Sequence, residues 1–513
     1  MPETIDRVVR LRAAKHGAKP MVIDQMSRVS YNELDSTTKG LAAALIEAGI
    51  VKGTRVGLIM PNGVRWVQIA IAVTRIGAVL VPLSTLLQPR ELAAQLQTAS
   101  VQFLISVEEF RGHRYLDNVQ RELLPALREV WTADRMLQNV AGDAARPIVD
   151  ALAATVTPSD PMVVMFTSGS SGTPKGVMHS HGNALGAVAS GLTSRCIDSE
   201  TRLYLPMPFF WVGGFGSGVL SALLAGATLV TEDIPQPDTT LRLLERERVT
   251  LFRGWPDQAE ALARHPSRTE VDLSALRPGS LDALLPPEHR GQPGARAMLF
   301  GMTEAFGPYC GYPADTDMPR SAWGSCGKPF PGMEVRITDP DTGEPVPAGT
   351  IGMMELRGPH TLRGICRRSR EDLFTADGFY PTGDLSRLDN DGFLFYHGRS
   401  DDMFKVSGAT VYPTEVEQAL RDIDGVESAF VTNVTGAQGD HVGAVVVCDT
   451  AANGAERLRT AARKLLSSFK VPTIWLLVDS DETIPRGSTG KVDVRRLREL
   501  LAGEASRAQR FGE

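Results

Sequence analysis

Residues 162–181 read MVVMFTSGSSGTPKGVMHSH. An apolar, β-rich run at 162–166 passes directly into small hydroxyl and glycine residues, Thr167, Ser168, Gly169, Ser170, Ser171, Gly172 and Thr173, and the stretch closes on Pro174, Lys175 and Gly176. A loop of this composition lets backbone N–H groups and hydroxyls surround a polyanion at close range, and Lys175 adds positive charge. The reading is a nucleotide phosphate clamp that follows a strand. It is not the Walker loop, which needs Gly directly before the Lys and a hydroxyl directly after it; here Pro174 and Gly176 take those places. A flexible Ser/Gly linker is excluded by context, because linkers are not entered from an apolar strand and closed by Pro-Lys-Gly.

Upstream of the loop, residues 31–106 alternate helical patterns (YNELDSTTKGLAAALIEAGI, WVQIAIAVTRIGA, LLQPRELAAQLQTA) with short apolar runs (RVGLIM, AVLVPL, VQFLIS). A second round at 162–230 carries VVMF, RLYLPM and ATLV between helix-length segments. Such alternation predicts parallel sheets covered by helices. At 324–397 the texture changes to short strands (EVRIT, MMELRG, GFLFYHG) divided by Pro/Gly turns. Beyond 398 come strand candidates SAFVTNV, HVGAVVVC and TIWLLV and helix candidates TEVEQALRDI and ERLRTAARKLLSSF. The expected class is α/β. A large N-terminal domain, 1–398, has two α/β subdomains and a small β-rich subdomain at 324–397, and an α+β C-terminal domain follows at 399–513.

Composition narrows the function. The chain has 513 residues, room for more than one core, with 42% hydrophobic and 22% charged residues, as in an ordinary globular enzyme. Sixty acidic against 54 basic residues give a net charge of -6, which disfavours nucleic acid as a partner. Five cysteines without a CxxC pair point to reduced thiols and a cytoplasmic setting rather than a disulfide framework or a zinc site. The first twenty residues lack the apolar core of a secretory signal, and the most apolar stretch, 69–83, is interrupted by Arg75, so no membrane span is expected.

The loop TSGSSGTPKG resembles the signature of the adenylate-forming superfamily, which includes acyl-CoA synthetases, peptide-synthetase adenylation domains and firefly luciferase. The superfamily's other motifs follow in order. Phe300, Gly301, Met302, Thr303 and Glu304 resemble its (Y/F)GMTE motif. That match implies an aromatic ring near the adenine, a hydroxyl from Thr303 near the α-phosphate, and a magnesium ligand in Glu304. YPTGDL at 380–385 resembles its TGD motif, which makes Asp384 the acceptor for the ribose hydroxyls, with Arg399 the arginine that also reaches the ribose. Asp401 occupies the hinge about which the C-terminal domain is expected to reorient. IPRGSTGKV at 484–492 resembles the segment carrying the catalytic lysine, here Lys491, which acts with Thr167, Thr303 and Glu304. A lysine suits that role as a compact charge on a long stem.

The resemblance implies ATP, Mg2+ and coenzyme A as cofactors and a small carboxylic acid as substrate. Lys405, Ser407 and Gly408 resemble the stretch brought in for thiolation, where small residues let a pantetheine arm pass. In PMPFFWVGGFG, Trp211 stands where relatives carry His or another aromatic on the path of the acid. Trp211 and Gly214 are the expected substrate-pocket residues, whereas Phe209, Phe210 and Phe215 read equally as core. An apolar acid, a fatty acid foremost, is expected, and a medium or long fatty acid, a branched or steroid side chain and an aryl acid all stay open. His179 and His181 lack metal-site spacing and read as structural. The segment 276–300 lacks the family's GGAPL-type loop and is shorter than the family pattern, so adenine contacts at Asp282, Ala283 and Leu284 are not carried over. The expected activity is acid–thiol ligation through an acyl-adenylate. The alternatives are an acyl-AMP ligase loading a carrier protein and a non-catalytic nucleotide-binding relative, and monomer and homo-oligomer both stay open.

Overall fold

The fold is that of a computed structural model describing residues 3–138, 146–167, 175–400, 402–406, 409–436, 439–487 and 492–510. The chain forms two compact units. The first holds residues 1–335, 356–380 and 392–394; the second holds 336–355, 381–391 and 395–513.

Two sheets carry the first unit. Seven strands lie in the order Gly364–Ile365, Lys175–Ser180, Pro161–Thr167, Val79–Leu83, Arg55–Ile59, Phe103–Ser106 and Glu129–Thr132. Neighbours from Pro161–Thr167 to Glu129–Thr132 run parallel, and the first two pairs are antiparallel. A second sheet has the order Leu251–Phe252, Arg202–Tyr204, Thr228–Val230, Pro20–Ile23 and Arg28–Ser30, parallel except for its last pair. Two α/β layers are present, as the alternating pattern predicts, but the strand Pro161–Thr167, read with the second round, joins the first sheet, and Pro20–Ile23 and Arg28–Ser30 join the second.

Helices form where the local chemistry asks for them. Tyr31–Glu47 starts at a capping box: the Ser30 hydroxyl accepts from Glu33 N, and the Glu33 carboxylate accepts from Ser30 N. Its buried positions Tyr31, Leu34, Thr38, Leu41 and Leu45 recur at helical spacing. Val64–Arg75 exposes only Arg65 and, in part, Gln68; its residues from Ile69 onward are all buried. The helix contacts strands of both sheets, so it fills the layer between them.

Arg75, which interrupts the apolar run, ends this helix fully buried. Its guanidinium donates to Asp6 Oδ1 at 2.6 and 3.0 Å, to Asp35 Oδ1 at 2.8 Å and to Thr38 Oγ1 at 2.7 Å. A buried charge stripped of its partner is strongly destabilising. D6A is therefore expected to lower the stability of the first unit by about 3 kcal/mol, read as a shift of the urea midpoint; an unchanged midpoint would contradict this role.

In the second unit, residues 336–338, 352–355, 381–388 and 395–399 make one sheet in that order. A second sheet has the order Val426–Gly436, Gly439–Cys448 and Ile474–Val478, the first pair antiparallel and the second parallel. Helices Pro413–Arg421 and Ala455–Leu465 cover one face, where Val416, Leu420, Val442, Ala444, Val446, Leu458 and Trp475 form the core. Leu497 and Leu501 of the helix Val494–Arg510 cover Val434, Val445 and Val447 on the other. Among the described residues no helix is long and apolar enough to cross a membrane.

Candidate active site

The phosphate loop hangs from an antiparallel pair. Strands Pro161–Thr167 and Lys175–Ser180 are in register with Thr167 opposite Lys175 and Phe166 opposite Gly176. Both Thr167 and Lys175 are half-buried at the mouth of the pair. Ser168, Gly169, Ser170, Ser171, Gly172, Thr173 and Pro174 lie outside the described residues. Below the mouth, a Cβ on Gly176 would stand 3.0 Å from Val164 and 3.1 Å from Cys366 Sγ, so a glycine there eases the close packing of the third strand, Gly364–Ile365, against the pair.

His179, on the same strand, joins this hairpin to the FGMTE motif. Its Nε2 donates to the Thr303 carbonyl at 2.7 Å and its Nδ1 accepts from Asn183 Nδ2 at 2.7 Å. The ring packs edge-on against Phe306 at 4.9 Å. Phe306 closes the turn Thr303–Ala305 in the left-handed region, φ 53°, and donates its N–H to the same Thr303 carbonyl. A bulky residue at positive φ is strained, and here the surrounding ring contacts hold it. Strand Phe300–Met302 pairs with Gly307–Gly311, and a Cβ on Gly301 would collide with the Gly307 carbonyl, so the motif's glycine permits that approach. Phe300 meets Tyr309 edge-on at 5.9 Å.

Glu304 is half-buried. Tyr380 donates its hydroxyl to Glu304 Oε1 at 3.3 Å, and the Glu304 carbonyl accepts from Leu362 N at 2.7 Å. Tyr380 is itself packed with Val177, Leu362 and Ile365. Tyr380 opens the YPTGDL motif, which assigned it no role; its contact with Glu304 is not readable there, because it spans 76 residues. No group of three or more His, Cys, Asp or Glu side chains suited to a metal exists among the described residues. A lone carboxylate beside a hydroxyl fits a hard cation that arrives with phosphate oxygens and water, not a closed protein cage.

Burial pulls the His179 and His181 rings down to about 4 from 6.5. His181 accepts from Ile5 N at 3.3 Å. Both rings are neutral in the fold and gain a proton in the unfolded chain below 6.5. Stability of the first unit is therefore expected to fall as pH drops from 6.5 toward 4. The slope is up to about 1.4 kcal/mol per pH unit for each ring. Urea titrations across that range should show this slope, and H181N should remove half of it; a flat profile would refute the assignment.

In the second unit, Asp384 and Arg399 come together on neighbouring strands. Arg399 Nη1 donates to the Thr382 carbonyl at 2.8 Å and to Asp384 Oδ1 at 3.2 Å. Gly383 has φ +77°, and a Cβ there would lie 2.6 Å from Arg399 Nη2, so the arginine crosses directly over the backbone. Thr382 Oγ1 donates to the Met354 carbonyl and accepts from Asp384 N, which fixes the carboxylate's exit from the strand. The Gly383 carbonyl accepts from both N and Oγ of Ser400. Asp401, Ser407, Gly408 and Lys491 lie outside the described residues, as does the side chain of Lys405, whose backbone is in the strand Phe404–Val406.

At the expected acid path, Trp211 is half-buried and starts the turn Val212–Gly214, with Phe210 edge-on at 5.5 Å. Trp255, unsignalled by sequence, meets Trp211 at 6.2 Å and is 38% exposed. Gly214 is buried where a Cβ would overlap the Pro208 carbonyl, so its glycine serves a close backbone approach. Phe209 and Phe215 are fully buried around Trp66 and belong to the core. Leu284 is likewise buried, with Leu285, in an apolar cluster, and Asp282 pairs with Arg296 at 3.5 Å.

The AMP-binding enzyme family matches residues 9–366. The chain belongs to this family. The matched stretch includes the phosphate-loop and FGMTE motifs. A relative from Mycobacterium tuberculosis (strain ATCC 25618 / H37Rv), 3-[(3aS,4S,7aS)-7a-methyl-1,5-dioxo-octahydro-1H-inden-4-yl]propanoyl:CoA ligase, is 33% identical over 522 residues, with 98% of each chain covered. A feruloyl-CoA synthase from Amycolatopsis sp is 30% identical, covering 94% of this chain and 95% of its own. Among solved structures, the anthranilate CoA ligase AuaEII in complex with anthranoyl-AMP superposes on this AMP-binding enzyme with a TM-score of 0.83 at 22% identity, covering 98% of both.

Proposed function

We propose that this AMP-binding enzyme is an acyl-CoA ligase, an AMP-forming acid–thiol ligase that uses ATP, Mg2+ and coenzyme A. The observation that carries the reading is the tie between the phosphate-loop hairpin and the FGMTE turn through His179 and the Thr303 carbonyl. That hydrogen bond ties together the two segments assigned to the triphosphate. In the first step the acid's carboxylate attacks the α-phosphorus of ATP, giving acyl-adenylate and pyrophosphate. In the second, the thiol of coenzyme A loses its proton and attacks the acyl carbonyl, releasing AMP.

The chain's part is to position groups and to neutralise charge. Thr167, the loop at 168–174 and Lys175 hold the phosphates, with Gly301 and Met302 lining the same nucleotide. Phe300 lies along the adenine, and Asp384 and Arg399 take the ribose. The hydroxyl of Thr303 serves the α-phosphate. Glu304 would hold Mg2+, which when bound offsets the charge of the departing pyrophosphate. Lys491 adds a cation in the first step, and Lys405, Ser407 and Gly408 admit the pantetheine arm. In this reading residues 1–398 form the adenylate-forming domain and 399–513 the mobile one, with Asp401 the hinge. The five free thiols fit a reducing, cytoplasmic setting.

The acid is apolar. The Trp211–Trp255 pair favours a ring-bearing acid over an unbranched chain, since aromatic edges pack best against flat, rigid partners. Relatives named for an indene-derived propanoyl group and for ferulate support that choice. A fatty acid is the competing reading. Pyrophosphate release across ring-bearing and straight-chain acids, followed by AMP release on adding coenzyme A, tests both levels. Turnover that requires a carrier protein instead of coenzyme A would favour an acyl-AMP ligase.

A further inference from the structure

A cavity of about 260 Å³ in the first unit is lined by Arg253, Pro256, Ser280, Asp282, Arg296 and Ala314, among others. Arg253 follows the strand Leu251–Phe252 and is anchored by its backbone N–H to the Tyr204 carbonyl. Its side-chain Nε and Nη2 are buried and have no hydrogen-bond partner among the described residues. The other cation on the wall, Arg296, is paired with Asp282 and Asp317. Arg253 makes no ion pair among the described residues; Asp315 and the Cys196 thiol act on it only through space.

A second buried cation adds to the same field. Arg195 donates to the Val188 and Gly191 carbonyls and to Ser221 Oγ and meets no carboxylate. Burial and the proximity of Arg253 lower its pKa to about 9; the acids on the cavity wall, Asp282 and Glu260, are already engaged by Arg296 and Arg264. At the cavity wall Gly279 has φ +94°, and a Cβ there would stand 3.2 Å from Cys196 Sγ, so the wall is thinned to the limit of packing. Two residues along the chain from Arg253, Trp255 meets Trp211. Arg253 on the cavity wall and the aromatic pair assigned to the acid are thus neighbours in the chain.

A guanidinium whose Nε and Nη2 are buried with their three N–H unmet among the described residues carries an unrecovered desolvation cost, and its planar fork matches carbonyl and carboxylate oxygens. We propose that Arg253 anchors a keto or carboxylate oxygen carried by the acid at the end remote from the carboxyl that is activated. The substrates are then apolar acids with one distal oxygen function. This rests on the ligase reading and on Trp211 marking the acid's path.

The test uses the full chain and matched ring-bearing propanoic acids: unsubstituted, with a ring ketone, and with a ring carboxylate. Binding is read by calorimetry and activation by acid-dependent exchange of labelled pyrophosphate into ATP. At least one oxygenated acid is expected to bind roughly 10–100-fold tighter than the unsubstituted one. R253M should bring that ratio near one, and R253K should recover part of it, because lysine keeps the charge without the fork. If R253M does not fold, a ratio reduced in R253K carries the same conclusion. Equal binding of all three acids by the wild-type protein, or a ratio unchanged in the variants, would overturn the assignment and leave Arg253 to water. A binding ratio that depends on Arg253 without any acid-dependent exchange would sink the ligase reading and leave the anchor standing.

Discussion

Replacing Lys491 by alanine is expected to lower acid-dependent pyrophosphate exchange by roughly 10²–10³-fold or more, while thioester formation from supplied acyl-adenylate survives. The asymmetry follows from the charge each step develops. Attack on the α-phosphorus spreads negative charge over phosphate oxygens, and a preorganised cation offsets it most where water is excluded. Thiolysis of a formed adenylate expels a good leaving group and asks for no such cation. Lysine can serve one step and be absent from the other because it is a point charge on a flexible stem, whereas arginine's fork would have to be oriented. K491R is therefore expected to rescue little. Equal loss in both steps would remove Lys491 from the first step and point to a fold defect.

The second large effect is expected at Glu304. E304Q keeps the side chain's shape and removes its charge, and adenylation should drop by about 10²-fold or more at low Mg2+ and recover in part as Mg2+ is raised. Partial recovery distinguishes a weakened metal ligand from a lost positioning contact, which added metal does not restore. Y380F supplies the contrast. It removes a single neutral donor, the hydroxyl 3.3 Å from Glu304 Oε1, so a loss of up to about 10-fold is expected. A Mg2+-independent drop in E304Q, or a Y380F effect as large as that of E304Q, would contradict the metal-holding role of Glu304 and the supporting role of Tyr380.

The motif residues differ in how far sequence could carry them. The strand and loop that carry the Ser/Gly/Lys signature were legible because their parts are contiguous: an apolar strand, permissive glycines and a lysine; the returning antiparallel strand Lys175–Ser180 was not read. The core strands of the second unit were equally clear, since Val426–Gly436, Gly439–Cys448 and Ile474–Val478 each announce themselves as β-branched runs bounded by turns. The TGD motif was readable as chemistry. That Gly383 must be glycine so that Arg399 can cross its backbone was not, because the clash is between residues brought together by a sheet.

His179 shows the same divide. Its spacing excluded a metal site, yet its use, holding the Thr303 carbonyl 124 residues away, came from packing. Trp255 and Arg253 carried no motif at all. Arg75 looked like a break in an apolar run and is instead the fully buried end of a helix, possible only because Asp6 and Asp35 converge on it from other elements.

By itself the sequence determined the class of fold, the phosphate loop and the order of the adenylating motifs, since each is written in neighbouring residues whose backbone and charge properties act locally. Only the tertiary structure decided which side chains hold those motifs still, which glycines are obligatory, and where a guanidinium is left without a partner. Those outcomes depend on which distant surfaces meet, and burial sets their energetic weight.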